Sequence, residues 1–316
     1  MLNRYLFMIL QLTIIILLAP LVNGIIKKIK ATAQHRKGAP VLQLYFDIYK
    51  LFKKDMVVSG NSSWIFRATP YIYFASIITA ALLIPVIPRL SSFSMAGDAI
   101  LAIYLLALGR FFIVLSGLDT GSTFGGMGSS REMMISTLIE PSIIVAIFTI
   151  GLNPSVASTS FKAIYSGSIQ LGAGIIHPVY MLLLAAMFIV LIAETSRIPV
   201  DDPATHLELT MVHEAMVLEY SGRYLAIILL SSSIKQLLFI TMIVNIFLPF
   251  GNNFDFGAGF VLSLLFYVLK VVIVTVTVAS IELGSVKLRL FSVPNLAALA
   301  FILSMLGFMS GFVFGR

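Results

Sequence analysis

The sequence contains no cysteine and few charged residues, and both shortages exclude classes of protein. Iron–sulfur clusters need thiolate ligands and covalent c-type haem needs a cysteine pair, so this chain carries neither. Of four histidines, one (His177) lies in an apolar stretch, which argues against a b-type cytochrome with histidines on facing helices. Charged residues make up 11% of the chain, against about 25% in soluble domains. With a mean hydropathy of +1.02, a soluble domain is excluded.

What the chain has instead is a series of apolar windows, each long enough to cross a bilayer as a helix. They are Tyr5–Ile26, Thr69–Ile87, Ala99–Leu118, Met133–Leu152, Leu171–Ala193, Tyr224–Pro249, Gly257–Ile281 and Val293–Val313. Long runs without strand-like alternation predict an all-α integral membrane protein, a bundle of about eight transmembrane helices forming one polytopic domain over residues 1–316. The first window is longer than a signal-peptide core and predicts an uncleaved anchor.

The net charge of +7 is a signal of topology rather than of nucleic-acid binding. With eight spans, fourteen of the 21 Lys and Arg residues fall on one side of the membrane and four on the other. The positive-inside rule then predicts a cytoplasmic (inner) membrane protein with both termini outside. Its cytoplasmic loops would be 27–67, 119–132, 194–223 and 282–291, with short amphipathic helices among them.

Six ionisable residues lie within or at the ends of the apolar windows. They are Arg110, Glu140, Glu194, Lys235, Lys270 and Glu282. Each costs several kcal/mol in hydrocarbon unless it is paired or faces a hydrated cavity. The default interpretation is an ion or proton pathway, and the alternative is a set of structural ion pairs.

Glu140 precedes Pro141 near the predicted centre of its span, where a lone acid would be protonated. We therefore expect it to pair with Lys235 or Lys270. Arg110 cannot release its proton and is expected to be a tuning charge or a structural clamp. Glu194 and Glu282 fall at cytoplasmic span ends, where water could reach them.

The first loop contains a segment with the pattern of a two-sided helix. Its apolar side is Val41, Leu42, Tyr45, Ile48, Tyr49 and Phe52, and its polar side is Gln43, Asp47, Lys50 and Lys54. This pattern is typical of an interfacial helix with snorkelling lysines. The alternative is a docking surface for a peripheral partner.

Two later loops concentrate glycine and polar residues. In the loop 119–132, Gly125, Gly126 and Gly128 predict close approach of the backbone to a neighbour, unless the loop is a plain connector. In the loop 194–223, Pro199 and Pro203 end the preceding helix, and the residues from Thr205 to Met216 are compatible with another short helix. His206 and His213 there lack the i, i+4 spacing of a helical metal pair, so no metal site is predicted.

Three segments carry a resemblance to a known family. The first loop contains Gln43-x3-Asp47-x2-Lys50-Leu-Phe-x-Lys54-Asp55, and Arg131 is followed nine residues later by Glu140. The third loop contains Glu194-x2-Arg197-x-Pro199-x-Asp201-x-Pro203, then Glu208-Leu209 and Glu219-Tyr220-Ser221-Gly222. Together they resemble the subunit 1 family of respiratory complex I and its membrane-bound NiFe-hydrogenase relatives, over the full length of the chain.

The chain departs from the complex I pattern in ways that resemble one branch of the family. Complex I members usually carry acids at the positions of Ala204 and His206. The stretch from Gly117 to Gly126 looks more like the hydrogenase-4 and formate hydrogenlyase branch. There, iron–sulfur and NiFe subunits dock on this protein and a quinone need not be the acceptor.

The resemblance implies a membrane anchor that binds no cofactor itself and couples redox turnover in partner subunits to proton or sodium movement. Its partners would be hydrophilic iron–sulfur and NiFe subunits, antiporter-like membrane subunits and lipid. Expected relay residues are Glu140, Glu194, Lys235, Lys270, Glu208, Glu219 and Glu282, tuned by Arg110, Arg131, Arg197 and Asp201. Docking is expected at Gln43, Asp47, Lys50 and Lys54. The rivals are a complex I subunit with a quinone site and a stand-alone secondary transporter.

Overall fold

A computed structural model of the protein describes residues 2–87, 97–153, 156–171, 177–202, 211–251 and 258–314. The helices there are α1 Leu2–Ala33, α2 Gln43–Phe52, α3 Trp64–Leu83, α4 Asp98–Asp119, α5 Thr123–Gly151, α6 Phe161–Leu171, α7 Pro178–Glu194, α8 His213–Val217, α9 Gly222–Phe247, α10 Ala258–Gly284 and α11 Val293–Phe314. A 3-10 turn, Leu290–Ser292, precedes α11. No residue in the described ranges lies in a β-strand, and the all-α prediction is confirmed.

The number of long apolar helices differs slightly from the expected eight. Among the described residues, seven helices are long and apolar enough to cross a membrane, and α7 is a shorter apolar helix. The fifth window was expected to begin at Leu171, which instead ends the separate helix α6, while α7 begins at Pro178. Residues 172–176 of that window lie outside the described ranges.

Helix α9 occupies the centre of the bundle. Every residue from 233 to 247 is buried, and α9 packs against α1, α3, α7 and α10. The other long helices leave apolar side chains such as Leu17, Phe111 and Leu265 exposed on their outer surfaces. This distribution is that of a membrane bundle, in which the outer surface is as apolar as the interior.

Hydrogen bonds and ion pairs group the helix ends into two faces. On the first, the Asp119 carboxylate accepts the backbone N–H of Ser63 at 2.8 Å and so joins the end of α4 to the start of α3. We call this the basic face, because it carries the lysine-rich end of α1 and the α2 segment. On the opposite face, the Asp98 carboxylate accepts the backbone N–H of Phe161 at 2.8 Å and caps α6.

The glycine-rich segment 119–132 is mostly helix rather than loop. Helix α5 begins at Thr123, and the Ser122 hydroxyl accepts the backbone N–H of Gly125 at 3.1 Å as its N-cap. A Cβ on Gly125 would lie 2.3 Å from the Gly117 carbonyl oxygen, and one on Gly128 would lie 2.8 Å from the Val212 carbonyl oxygen. The expected close backbone approach is present at these two glycines, and α4, α5 and α8 pack tightly there.

Candidate functional site

Four ionised side chains from four helices form a continuous series of contacts inside the bundle. The Arg110 guanidinium of α4 donates to Glu140 of α5 at 2.9 Å and to Glu194 of α7 at 2.7 Å. The Lys235 ammonium of α9 lies 2.9 Å from the second carboxylate oxygen of Glu194. We call Glu140, Arg110, Glu194 and Lys235 the ion-pair chain.

The signs of charge alternate along the ion-pair chain, so its net charge is zero when all four groups are ionised. The side chains of Glu194, Arg110 and Lys235 are 1%, 8% and 7% exposed, whereas that of Glu140 is 31% exposed. Burying charges is costly unless each is paired and hydrogen-bonded, and alternation provides the pairing. The chain therefore runs from a fully enclosed end at Lys235 to a partly open end at Glu140.

The shortness of α7 places Glu194 at this depth. Glu194 is the last residue of α7, yet it contacts Arg110 and Lys235, which lie near the middle of α4 and α9. A helix of 17 residues spans about 25 Å, less than the ~30 Å of the hydrocarbon core. The segment after Glu194 is consequently drawn into the bundle.

A second network, the basic-face cluster, lies where that segment meets α1, α9 and α10. Glu282 of α10 contacts Lys30 at 2.7 Å and Arg197 at 3.3 Å. Arg197 also donates to the side-chain oxygens of Asn23 and Gln236. Burial lowers the pKa of Arg197, and the Glu282 carboxylate opposes that shift.

A polar cavity separates the two networks. Its volume is about 120 Å³, and its lining includes Glu194, Lys235, Arg197, Gln236 and Asn23. Polar groups on all sides and a volume of this size allow it to hold several water molecules. Further lining residues extend toward the basic face: Lys27, Asp201, His213 and Glu214.

The segment after α7 is also tied to the loop before α11 and to α8. Asp201 accepts from Lys287 at 2.7 Å, and its second oxygen accepts the backbone N–H groups of Val212 and His213. Arg131 of α5 donates to the Met211 carbonyl at 2.9 Å. Arg131 and Asp201 therefore hold backbone segments in place at the cavity rim.

The observed pairing differs from the expected one. Glu140 pairs with Arg110, and Lys235 pairs with Glu194, so the expected pairing of Glu140 with Lys235 was wrong. Arg197 was expected to act on Glu194, but its ion pair is with Glu282. The side chains of Glu194 and Glu282 are almost fully buried although both lie at helix ends. Among the described residues, neither network includes Lys270, which is buried on α10.

Two other expected relay residues lie elsewhere. Glu219 is exposed at the basic face, and Glu208, like Ala204 and His206, lies outside the described residues. The short helix compatible with the residues from Thr205 to Met216 is observed as α8, His213–Val217, and residues 203–210 are not described.

Sequence reasoning missed several buried polar residues. Glu132 was assigned to a loop, but it is 6% exposed on α5. It continues the buried stripe of Gly125, Gly128, Ile139 and Ile143, and that helical spacing was the signal that could have revealed it. Asn23, Gln236 and Asp98 were missed because the search of the spans considered charges within apolar windows rather than all polar side chains.

Helix α2 lies along the basic face, within residues 43–52, as its two-sided pattern predicts. Ile48 is its buried residue, while Phe46 and Tyr49 are 60% and 61% exposed. On the polar side, Gln43 donates to Asp47 at 2.8 Å, and Lys50 and Lys54 are exposed. The polar side is therefore accessible to a partner.

A bundle of apolar helices with an internal chain of ion pairs defines a membrane-embedded protein built to hold charges in its interior. The chain belongs to the NADH dehydrogenase family, which it matches over residues 6–310.

Individual relatives cover nearly the whole chain. It is 34% identical to hydrogenase-4 component C of Escherichia coli, over 96% of this chain and 94% of the relative. It is 33% identical to formate hydrogenlyase subunit 4 of the same organism, over 96% and 98%. Its identity to an NADH-quinone oxidoreductase subunit of Dinoroseobacter shibae is 27%, over 78% and 76%.

A chain of the membrane-bound sulfane sulfur reductase, an archaeal respiratory membrane complex, has the same fold. The TM-score is 0.84 at 20% identity, over 97% of this chain and 99% of that one. The comparison confirms the arrangement of the bundle.

Proposed function

We propose that this protein is the membrane-anchor and ion-coupling subunit of an energy-converting NiFe-hydrogenase, similar to hydrogenase-4 or formate hydrogenlyase. It would dock a hydrophilic redox unit at the basic face and link electron transfer there to proton or sodium movement. The observation that carries the proposal is the ion-pair chain, which crosses four helices from a partly open end to a polar cavity.

The ion-pair chain has the chemistry that a proton relay needs. Glu140, Glu194 and Lys235 can each gain or lose a proton, and the fixed charge of Arg110 joins the two carboxylates. A proton moving from Lys235 to Glu194 leaves the net charge unchanged, because both groups become neutral together. Arrival of one additional proton makes the chain cationic, which favours release of a proton at one of its ends.

The partly open end supports a neighbouring membrane subunit. Glu140 is partly exposed on α5, and Pro141 has no N–H to donate to the backbone carbonyl of exposed Thr137. Exposed polar groups at this depth are unfavourable in lipid, where their hydrogen bonds cannot be satisfied. An antiporter-like partner covering this surface would satisfy them and receive the ion.

At the other end, the cavity leads toward groups at the basic face. Asp201, His213 and Glu214 line it, and we infer that Glu282, Glu219 and Glu208 extend the path, with Lys270 as a further buried base. Arg131, Arg197 and Asp201 would set the local field and position the segments that respond to the redox state of the docked partner. Iron–sulfur clusters and the NiFe centre would belong to those partners.

The size of the cavity bears on the complex I alternative. About 120 Å³ is well below the ~300–1,000 Å³ typical of sites for organic ligands. Water and protons fit this cavity better than a quinone ring. A stand-alone transporter is disfavoured because the relatives that match over nearly their whole length are named as components of hydrogenase-4 and formate hydrogenlyase.

The proposed setting is the inner membrane, with the basic face in the cytoplasm and both termini outside. Reporter fusions in the 27–67 loop and at the C-terminus are expected to label as cytoplasmic and external, respectively. Finding both on one side of the membrane would overturn the assignment of the basic face as the docking face.

The experiment that tests coupling compares two substitutions at the partly open end of the chain. Glu140→Gln keeps a polar side chain but cannot titrate, whereas Glu140→Asp keeps the carboxyl group. In vesicles containing the assembled complex, Glu140→Gln should leave turnover with artificial acceptors intact and reduce ion translocation. Glu140→Asp should restore part of it. If Glu140→Gln translocates ions at the wild-type rate, the carboxyl group is structural and the proposed relay is wrong.

A further inference from the structure

A groove opens on the outer surface of the bundle at the basic face, between the first turns of α3 and α9. Its volume is about 560 Å³, within the ~300–1,000 Å³ of small-molecule sites. Its lining consists of Ser62, Ser63, Trp64, Arg67, Ala68, Tyr71 and Tyr224. It shares no lining residue with the polar cavity of the ion-pair chain.

The groove lies at the height where a membrane meets water. Trp64, Arg67 and Tyr71 recur at the i, i+3 and i+7 positions of α3 and so share one face of the helix. Trp64 is 71% and Tyr71 is 56% exposed. Exposed Trp and Tyr side chains at the start of a membrane helix are typical of the headgroup region.

The charge in the groove has no partner within the protein. Arg67 is exposed, and no ion pair joins it to any residue that the structure describes. A guanidinium group binds phosphate through two parallel hydrogen bonds. The Trp64 indole and the two tyrosine hydroxyls of the groove can donate further hydrogen bonds to phosphate or glycerol oxygens.

One wall of the groove is held in place by packed aromatic rings. The Tyr71 and Tyr224 rings meet edge to face at 5.9 Å, and Tyr224 contacts Tyr220 at 6.5 Å. Tyr220 stacks on Phe66 at 4.0 Å and donates to the Phe66 carbonyl at 3.0 Å. Burial raises the pKa of Tyr220 to about 12, so it remains a neutral donor. The groove is therefore formed before any ligand arrives.

We propose that this groove binds the headgroup of an anionic phospholipid from the leaflet at the basic face, with Arg67 holding the phosphate. Below Tyr71 the same face of α3 continues through exposed Ala75 and partly buried Ile78, which gives the acyl chains an apolar path. This continuity with the hydrocarbon favours a lipid over a soluble anion. The inference does not rest on the proposed ion-coupling function.

The test uses the purified full-length chain in detergent, and native mass spectrometry to count bound lipid. The probes are phosphatidylglycerol, phosphatidylcholine with the same acyl chains, and inorganic phosphate as a competitor. Arg67→Gln removes the charge, and Ala68→Leu fills the groove without changing charge. Arg289→Gln is the matched control, because it removes another exposed arginine at the basic face.

We expect phosphatidylglycerol to bind in preference to phosphatidylcholine, and Arg67→Gln to weaken its binding about tenfold, because an arginine–phosphate contact is a strong charge-assisted hydrogen bond. Ala68→Leu should weaken it as well, and Arg289→Gln should change it less than about twofold, as for other exposed charges. Equal losses in Arg67→Gln and Arg289→Gln, normal binding by folded Ala68→Leu, equal binding of both lipids, or displacement by inorganic phosphate would each overturn the assignment. Thermal unfolding of each variant establishes that it is folded.

Discussion

The ion-pair chain and the basic-face cluster solve the same problem of buried charge in different ways. In the chain, two carboxylates alternate with two cations, and every contact joins opposite charges. In the cluster, Glu282 faces two cations, Arg197 and Lys30, and the remaining donors of Arg197 are satisfied by the neutral amides of Asn23 and Gln236. The cluster therefore has a net positive charge, and the chain has none.

The difference indicates different roles. Three of the four groups in the ion-pair chain can titrate, and each shift of a proton along it keeps opposite charges adjacent. At the centre of the cluster, Arg197 remains charged and connects three helices and the segment after α7. We therefore infer that the chain moves charge and that the cluster holds the segment that reports to the basic face.

The largest effect is expected from Glu194→Gln, because Glu194 contacts both cations of the chain. The substitution leaves Arg110 and Lys235 with one carboxylate, which is distant from Lys235. Removing one partner of a buried ion pair costs about 3–5 kcal/mol. We expect a matching fall in the free energy of unfolding of the purified chain, measured by denaturant titration, together with loss of ion translocation in vesicles.

The double variant Glu194→Gln/Lys235→Met separates folding from coupling. It removes one charge of each sign and restores a neutral chain, so stability should largely return while translocation stays absent. Recovery of translocation in the double variant would show that these two groups do not carry the ion.

The second prediction concerns the cluster. Glu282→Gln leaves Arg197 and Lys30 without their shared carboxylate, but Lys30 is 20% exposed and can turn toward water. The expected loss of stability is about 2–3 kcal/mol, as for hydrogen bonds to charged groups. In the fraction of complex that assembles, the number of ions moved per electron should equal that of the wild type. A lower ratio would place Glu282 in the relay itself.

The sequence was sufficient to predict the class of fold and most of the helices, because long apolar windows and the two-sided pattern of α2 are local properties. It was not sufficient to predict which charges meet. Glu194 contacts Lys235 because α7 is short, and its start depends on residues near Pro178 that look like part of a longer apolar window. Glu132 was missed because the glycine-rich start of α5 resembles a loop, although Ser122 caps a helix there.

The third prediction tests the packing that brings Arg110 to Glu140, using two neighbouring glycines of α5. A Cβ on Gly125 would overlap the Gly117 backbone of α4, whereas a Cβ on Gly126 would meet nothing within 4 Å. Gly125→Ala should destabilise the protein by about 1–2 kcal/mol through overpacking. Gly126→Ala should be neutral or stabilise it by about 0.5 kcal/mol, since alanine favours helix. Equal effects on the melting temperature would mean that the α4–α5 contact is not tight.

The smallest effect on stability is expected at the surface of α2, where the proposed docking stripe lies. Reversing Asp47→Lys and Lys50→Asp together keeps the net charge, and exposed substitutions usually change stability by less than about 0.5 kcal/mol. Binding is a different matter, because like charges across an interface cost several kcal/mol. The hydrophilic partner should therefore be released from washed membranes, whereas Lys162→Asp on the opposite face should retain it. If the double reversal also retains the partner at low and high salt, α2 is an interfacial helix and docking depends on the segment 194–223.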